Sequence, residues 1–99
     1  MKKPMVYIMA NKNNTVLYTG VTSDLKNRVI QHKTKYYRGS FSSRYNCSKL
    51  VFFIQFSTII EAISFEKKIK AGNRLKKEKL INEMNPDWKD LAEDWVSNF

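Results

Sequence analysis

The stretch "LYTGVTSDLKNR" occupies Leu17–Arg28. It reads as the end of a strand, a glycine turn and the start of a helix that carries an arginine. Turn amides and a nearby guanidinium can converge on one phosphate, so this junction poses the functional question. Upstream, "PMVYIMA" (Pro4–Ala10) is a β-rich run closed by the turn cluster "NKNN" (Asn11–Asn14), and "TVLYTG" (Thr15–Gly20) is a second strand. A short symmetric turn centred on Lys12-Asn13 makes the two a hairpin. In that register Ala10 faces Thr15 and Tyr7 faces Tyr18. Two tyrosines directly opposed on one face stand only ~5 Å apart at Cβ. Downstream, Ser23 is a suitable N-cap for a helix from about Asp24 to Lys33. Leu25 and Val29 then face inward, and Arg28 and His32, four apart, share another face.

Further along, "TKYYRGSFSSRYNCS" (Thr34–Ser48) is polar, serine-rich and basic, and reads as a long loop. "KLVFFIQFS" (Lys49–Ser57) predicts a buried strand at the centre of the sheet. "TIIEAISFEKKIKAG" (Thr58–Gly72) has helical periodicity through Ile59 or Ile60, Ile63 and Ile69, and stops at Gly72. Asn73 caps a further helix to Met84 whose apolar positions are Leu75, Leu80, Ile81 and Met84. Asn85-Pro86 breaks the chain, and Trp88, Leu91 and Trp95 then recur at helical spacing. The order is β-β-α-β-α-α with a C-terminal helix, an α+β arrangement. No repeat or low-complexity segment interrupts it.

The totals agree with one domain. The chain has 99 residues, 42% hydrophobic, 27% charged and 13% aromatic, which supports a small core and argues against disorder. Apolar runs such as Leu50–Ile54 fall far short of the ~20 residues that span a bilayer. Pro4 and the short apolar run behind it do not make a signal peptide, so a cytoplasmic location and no membrane partner are expected. One cysteine, Cys47, and one histidine, His32, exclude the usual zinc sites. A metal here must be a hard ion on carboxylate oxygen. Residues 1–82 hold 17 Lys and Arg against 4 Asp and Glu, a balance of +13. Residues 83–99 hold one lysine against five acids, a balance of −4. A basic body with an acidic tail points to a polyanionic partner, most often nucleic acid.

"VYI" (Val6–Ile8), "YTG" (Tyr18–Gly20), "SDLKNRVIQH" (Ser23–His32) and a glutamate in a later helix together resemble the GIY-YIG nuclease domain. The resemblance runs from the first strand to about residue 82, and the tail "NPDWKDL" looks like the end of small stand-alone bacterial members. Met5-Val6 stands where the family name has Gly-Ile, and Thr19 replaces the second triplet's Ile; both tyrosines and Gly20 are kept. The resemblance implies a small three-stranded antiparallel sheet flanked by helices, forming a nuclease-like domain over residues 1–82. Residues 83–99 would be an acidic helical extension packed on the same domain. It implies metal-dependent endonuclease activity on phosphodiesters, with nucleic acid as partner, DNA ahead of RNA. One divalent ion, Mg²⁺ or Mn²⁺, would be held by Glu66. Tyr7 would help activate water, Tyr18 and Arg28 would contact the scissile phosphate, and His32 would sit beside the tyrosines.

Elementary chemistry supports these roles. A phosphodiester repels nucleophiles and gains negative charge toward the transition state, which a planar guanidinium suits. Mg²⁺ commonly binds through one or two carboxylates and keeps several waters. Each residue also has an ordinary reading. The tyrosines can simply pack, Arg28 can be a solvated helix charge and His32 a surface histidine. Glu66 can be the i, i+4 partner of Lys70. The other acids of residues 1–82 are Asp24, Glu61 and Glu78, of which Glu61 remains open as a metal ligand. Lys26 and the run holding Lys67, Lys70, Arg74, Lys76 and Lys77 suit contacts to a nucleic-acid backbone. The loop residues Tyr36, Tyr37, Arg38, Phe41, Arg44 and Tyr45 mix aromatics with cations, a combination suited to unstacked bases. Two other classes stay open: a binding module of the same fold with weak catalysis, and a protein–protein adaptor using the acidic, tryptophan-containing tail.

Overall fold

Every side chain from Val6 to Ala10 is fully buried, and this run organises the molecule. It forms β1 (Met5–Ala10) of a computed structural model that describes residues 3–35 and 38–95. Around it lie β2 (Leu17–Thr22), α1 (Leu25–Lys33), α2 (Phe41–Arg44), β3 (Lys49–Gln55), α3 (Ile59–Ala71) and α4 (Arg74–Met84). The sheet is antiparallel with the order β2-β1-β3. The α+β class and the β-β-α-β-α-α order are as read from the sequence, with the short α2 added inside the Thr34–Ser48 loop. The central strand is β1, not β3. A strand covered on both faces needs an unbroken apolar run, which β1 supplies, whereas Ile54 and Gln55 at the end of β3 are exposed.

The hairpin register also differs from expectation. Tyr7 pairs with Gly20, and Tyr18 pairs with Met9. The connection is longer than a two-residue turn because Asn11 organises it. Its side-chain oxygen accepts from the amides of Thr15 at 2.8 Å and Val16 at 3.0 Å, and Asn14 takes φ 58°. The shift is two residues, so side-chain parity survives. The tyrosines remain on one face, as diagonal neighbours.

Alternation along β1 divides the core. Tyr7 and Met9 join Leu25 and Val29 of α1, Cys47, Leu50 and Ala92. Val6 packs with Ala62 and Ile69 of α3, and Ile8 and Ala10 with Ile81 of α4. The buried stripe of α3 keeps only Ile69 of the isoleucine series. Ile59, Ile60 and Ile63 are exposed, and Ala62 and Ile69 are buried. The cap of α1 is Asp24 rather than Ser23, one residue later than expected, while Asn73 caps α4 as read.

After α4 the chain continues in turns through residues 85–95, with Trp88 at φ 53°. The spacing of Trp88, Leu91 and Trp95 therefore sends side chains to both faces. Trp88 joins the α4 side, and Leu91 and Trp95 join the α1 side. Asn85 holds this path by donating to the carbonyls of Val51 at 3.2 Å and Lys89 at 2.8 Å. Asp90 accepts from the amides of Leu50 and Ala92, both at 3.0 Å, and pairs with Lys33. The Leu91 amide donates to the Leu50 carbonyl at 2.8 Å, so this segment runs along the edge strand β3 and covers part of it.

Candidate active site

Three elements meet at Tyr7. β1 presents its ring on the α1 side of the sheet. β2 passes beneath it at Gly20, where an added Cβ would lie 2.6 Å from Tyr7 Cζ and from its hydroxyl. The glycine is therefore required by the closeness of the ring. α1 is pinned by Leu25 and Val29, which turns Arg28 and His32 toward the tyrosines. His32 Nε2 lies 2.8 Å from the Tyr7 hydroxyl. The Tyr18 ring centroid stands 5.0 Å from His32 and 6.2 Å from Tyr7. Tyr7, Tyr18, Arg28 and His32 are thus brought together from three separate elements.

The fourth element is α2, a helix inside the segment expected to be loop. Ser40 caps it, accepting from the Ser43 amide. Ser42 turns inward, 4% exposed, with its Oγ 2.7 Å from His32 Nδ1. No local signal separates Ser42 from Ser40, Ser43 or Ser48. The short helix must form before one serine faces the histidine. Phe41 faces the other way, 49% exposed, stacked on Tyr18 at 6.3 Å and in contact with Tyr45 at 4.7 Å. Tyr36 and Tyr37 lie outside the described residues.

These groups border an open cleft of about 430 Å³ lined by Tyr18, Arg28, His32, Lys35 and the Ser40–Ser43 segment. Among the described residues its lining holds cationic and hydroxyl side chains and no carboxylate. Burial sets the protonation states. Desolvation pushes the Tyr7 phenol well above its ordinary value, the Tyr18 hydroxyl adds to this, and Arg28 opposes it by hydrogen bonding and charge. Desolvation, helped by the Arg28 charge, lowers His32 to about 4. Near neutrality the pair is a phenol beside a neutral imidazole.

Glu66 occupies a different position. It stands on α3, which packs through Ala62 and Ile69 on the sheet face opposite Tyr7. It shares their stripe, so its side chain is only 14% exposed, and it pairs with Lys70 at 3.0 Å. Glu61 is spent on its helix cap, accepting from the Thr58 hydroxyl at 3.1 Å. Among the described residues no three His, Cys, Asp or Glu side chains cluster as a metal cage. The donor chemistry at Glu66, one half-buried hard oxygen group, fits an ion that keeps most of its waters.

Of the basic residues, Lys26, Lys67, Lys70 and Lys76 are exposed and Lys77 is half-buried. Arg74 is exposed and also has partners within the chain. Its guanidinium donates to Glu78 at 2.7 Å, to the Thr15 carbonyl at 3.0 Å and to the Asn14 carbonyl. It ties α4 to the hairpin connection.

The family model of the GIY-YIG catalytic domain matches residues 3–80, the span that carries all of these side chains. The chain belongs to the GIY-YIG family. Within it, the chain is 35% identical over 83 residues to a UPF0213 protein of Staphylococcus saprophyticus, covering 84% of this chain and 99% of that one. It is also similar to the solution structure of a UPF0213 protein from Bacillus halodurans, with a TM-score of 0.55 and 27% identity. That match covers 92% of this chain and 95% of the other. GIY-YIG is a nuclease family, and the cationic, hydroxyl-rich lining of the cleft lies within the matched span. No described helix is long and apolar enough to cross a membrane.

Proposed function

We propose that this GIY-YIG protein is an endonuclease that hydrolyses phosphodiester bonds in DNA with the help of one divalent ion, Mg²⁺ or Mn²⁺. The observation that carries this reading is the cleft itself: Arg28, Tyr18 and His32 line it, with no carboxylate among the described lining residues to repel a phosphate, and the buried Tyr7 hydroxyl stands 2.8 Å behind the imidazole. Arg28 would bind a non-bridging phosphate oxygen and offset the charge that grows there. Tyr18 would place its hydroxyl on the same phosphate. Tyr7 is a weak base by itself, since burial keeps it protonated. Beside neutral His32, its oxygen can accept a proton from the attacking water while its own proton passes to Nε2. Glu66, on α3 across the sheet from Tyr7, would hold the divalent ion, which when bound supplies positive charge. Lys26, Lys67, Lys70, Lys76 and Lys77 would track the backbone.

The Glu66–Lys70 ion pair favours one second reading, a binding module in which Lys70 keeps the carboxylate neutralised. A single panel separates the two. Supercoiled, linear, branched and single-stranded DNA, and RNA, are incubated with Mg²⁺ or Mn²⁺ and wild-type, Glu66→Gln or Tyr7→Phe protein of matched fold. Cleavage lost in both variants supports the endonuclease. Salt-sensitive binding with no cleavage supports the module. Cleavage that survives Glu66→Gln removes Glu66 as the metal ligand.

A further inference from the structure

We infer that Ser42 is a positioning residue: its hydroxyl accepts a hydrogen bond from His32 Nδ1–H and so holds the bare Nε2 of His32 against the Tyr7 hydroxyl. This rests on the nuclease reading only for its effect on rate; the tautomer it assigns stands without it.

A neutral imidazole has one N–H and one lone pair. Here each ring nitrogen faces a hydroxyl, Tyr7 at 2.8 Å on Nε2 and Ser42 at 2.7 Å on Nδ1. Two arrangements satisfy both bonds. Either Tyr7 donates to Nε2 and Nδ1–H donates to Ser42, or Ser42 donates to Nδ1 and Nε2–H donates to Tyr7. Acidity decides between them. A phenol is a far stronger hydrogen-bond donor than an aliphatic alcohol, and the imidazole lone pair is the best acceptor within reach. The phenol therefore takes Nε2, leaving Nδ1–H for Ser42. Which nitrogen of a histidine carries the proton is set by the bond its other nitrogen makes. Ser42 is held firmly enough to set that bond. It is 4% exposed, and its own carbonyl accepts from the Cys47 amide at 2.8 Å. That bond anchors α2 to the buried Cys47.

The consequence for the chemistry is directional. With Nε2 bare, the Tyr7 proton has somewhere to go and the Tyr7 oxygen can receive one from water. With Nε2 protonated, that route is closed. Loss of Ser42 removes the acceptor that favours the first state.

The chain contains one histidine, so ¹⁵N-histidine labelling reports a single imidazole. The nitrogen shifts of the wild type at neutral pH should show Nδ1 protonated and Nε2 not. Ser42→Ala should move the ring toward a mixed or Nε2–H state and slow cleavage about tenfold or more. Ser42→Thr, which keeps the hydroxyl, should restore both. An amide ¹H–¹⁵N spectrum checks that each variant is folded. A wild-type ring protonated on Nε2 overturns the assignment, as does a Ser42→Ala ring unchanged from wild type. If Ser42→Ala does not fold, the wild-type and Ser42→Thr rings still decide. A correct tautomer in a protein without nuclease activity would overturn the nuclease reading and leave the assignment intact.

Discussion

Replacing Gly20 by alanine should damage both stability and the site, through one clash. The new Cβ would sit 2.6 Å from Tyr7 Cζ and its hydroxyl and 2.9 Å from Cε1. Comfortable carbon contacts lie at about 3.5–4.0 Å, so ring and strand must separate by roughly 1 Å. Tyr7 is fully buried and cannot swing away freely. Overpacking of this kind costs about 1–3 kcal/mol, and for a chain of this size 2 kcal/mol lowers Tm by roughly 10 °C. A displacement of 1 Å also stretches the 2.8 Å bond from Tyr7 to His32 beyond hydrogen-bonding range. A misplacement of that size costs on the order of 10²-fold in rate. The assay is thermal melting of Gly20→Ala, alone and combined with Tyr7→Leu, beside cleavage by the single variant. The cost should largely vanish in the Tyr7→Leu background, because the clashing ring is gone. An equal loss in both backgrounds would exclude the clash as its cause, since the glycine would then be serving the backbone.

Acid should weaken the fold through His32. Its value of about 4 lies below the ordinary 6.5, so the unfolded chain takes up this proton before the native one does. The contribution is fully present above pH 6.5 and is lost as pH falls toward 4. Discounted for partial exposure it amounts to about 1–2 kcal/mol. Urea melts at pH 7.0 and 4.5 measure it against His32→Gln, which should lose less between the two. Asp90→Ala should cost about 2–4 kcal/mol by denaturant melting, because Lys33, 14% exposed at its side chain, and two backbone amides lose their acceptor. Breaking the Glu66–Lys70 pair by Glu66→Gln should cost under about 1 kcal/mol, since Lys70 is half in solvent. If unpaired bases stack on the rim of the cleft, Phe41→Ala or Tyr45→Ala should weaken oligonucleotide binding about 5- to 100-fold by anisotropy. The melting temperature should stay nearly unchanged, because both rings are half exposed.

Most of the site is legible one residue at a time. Tyr7, Tyr18, Arg28 and His32 fall where strand parity and helical spacing put them, and the structure joins them. Ser42 is invisible in the sequence because a serine-rich stretch offers several equal candidates, and only the formation of α2 selects one. Glu66 is legible as a residue type but not as a position. The isoleucines of α3 suggest one buried stripe, and the packed stripe shares only Ile69 with it and runs through Ala62 and Glu66. A helix carrying apolar residues on two faces cannot declare which will dock; the sheet decides.

Local patterning set the three strands, the helices α1, α3 and α4, the shared face of the two tyrosines and the basic character of the body. These follow from period-2 and period-3.6 side-chain geometry and from charge, which are properties of a chain segment alone. The hairpin register, the central place of β1, the short α2, the turns after Asn85 and the meeting of Ser42 with His32 came only with the folded chain. Each of these depends on which distant surfaces close on one another. The Asn11 turn, the unbroken burial of Val6–Ala10 and the Asp90–Lys33 contact settle that closure, and no local pattern encodes it.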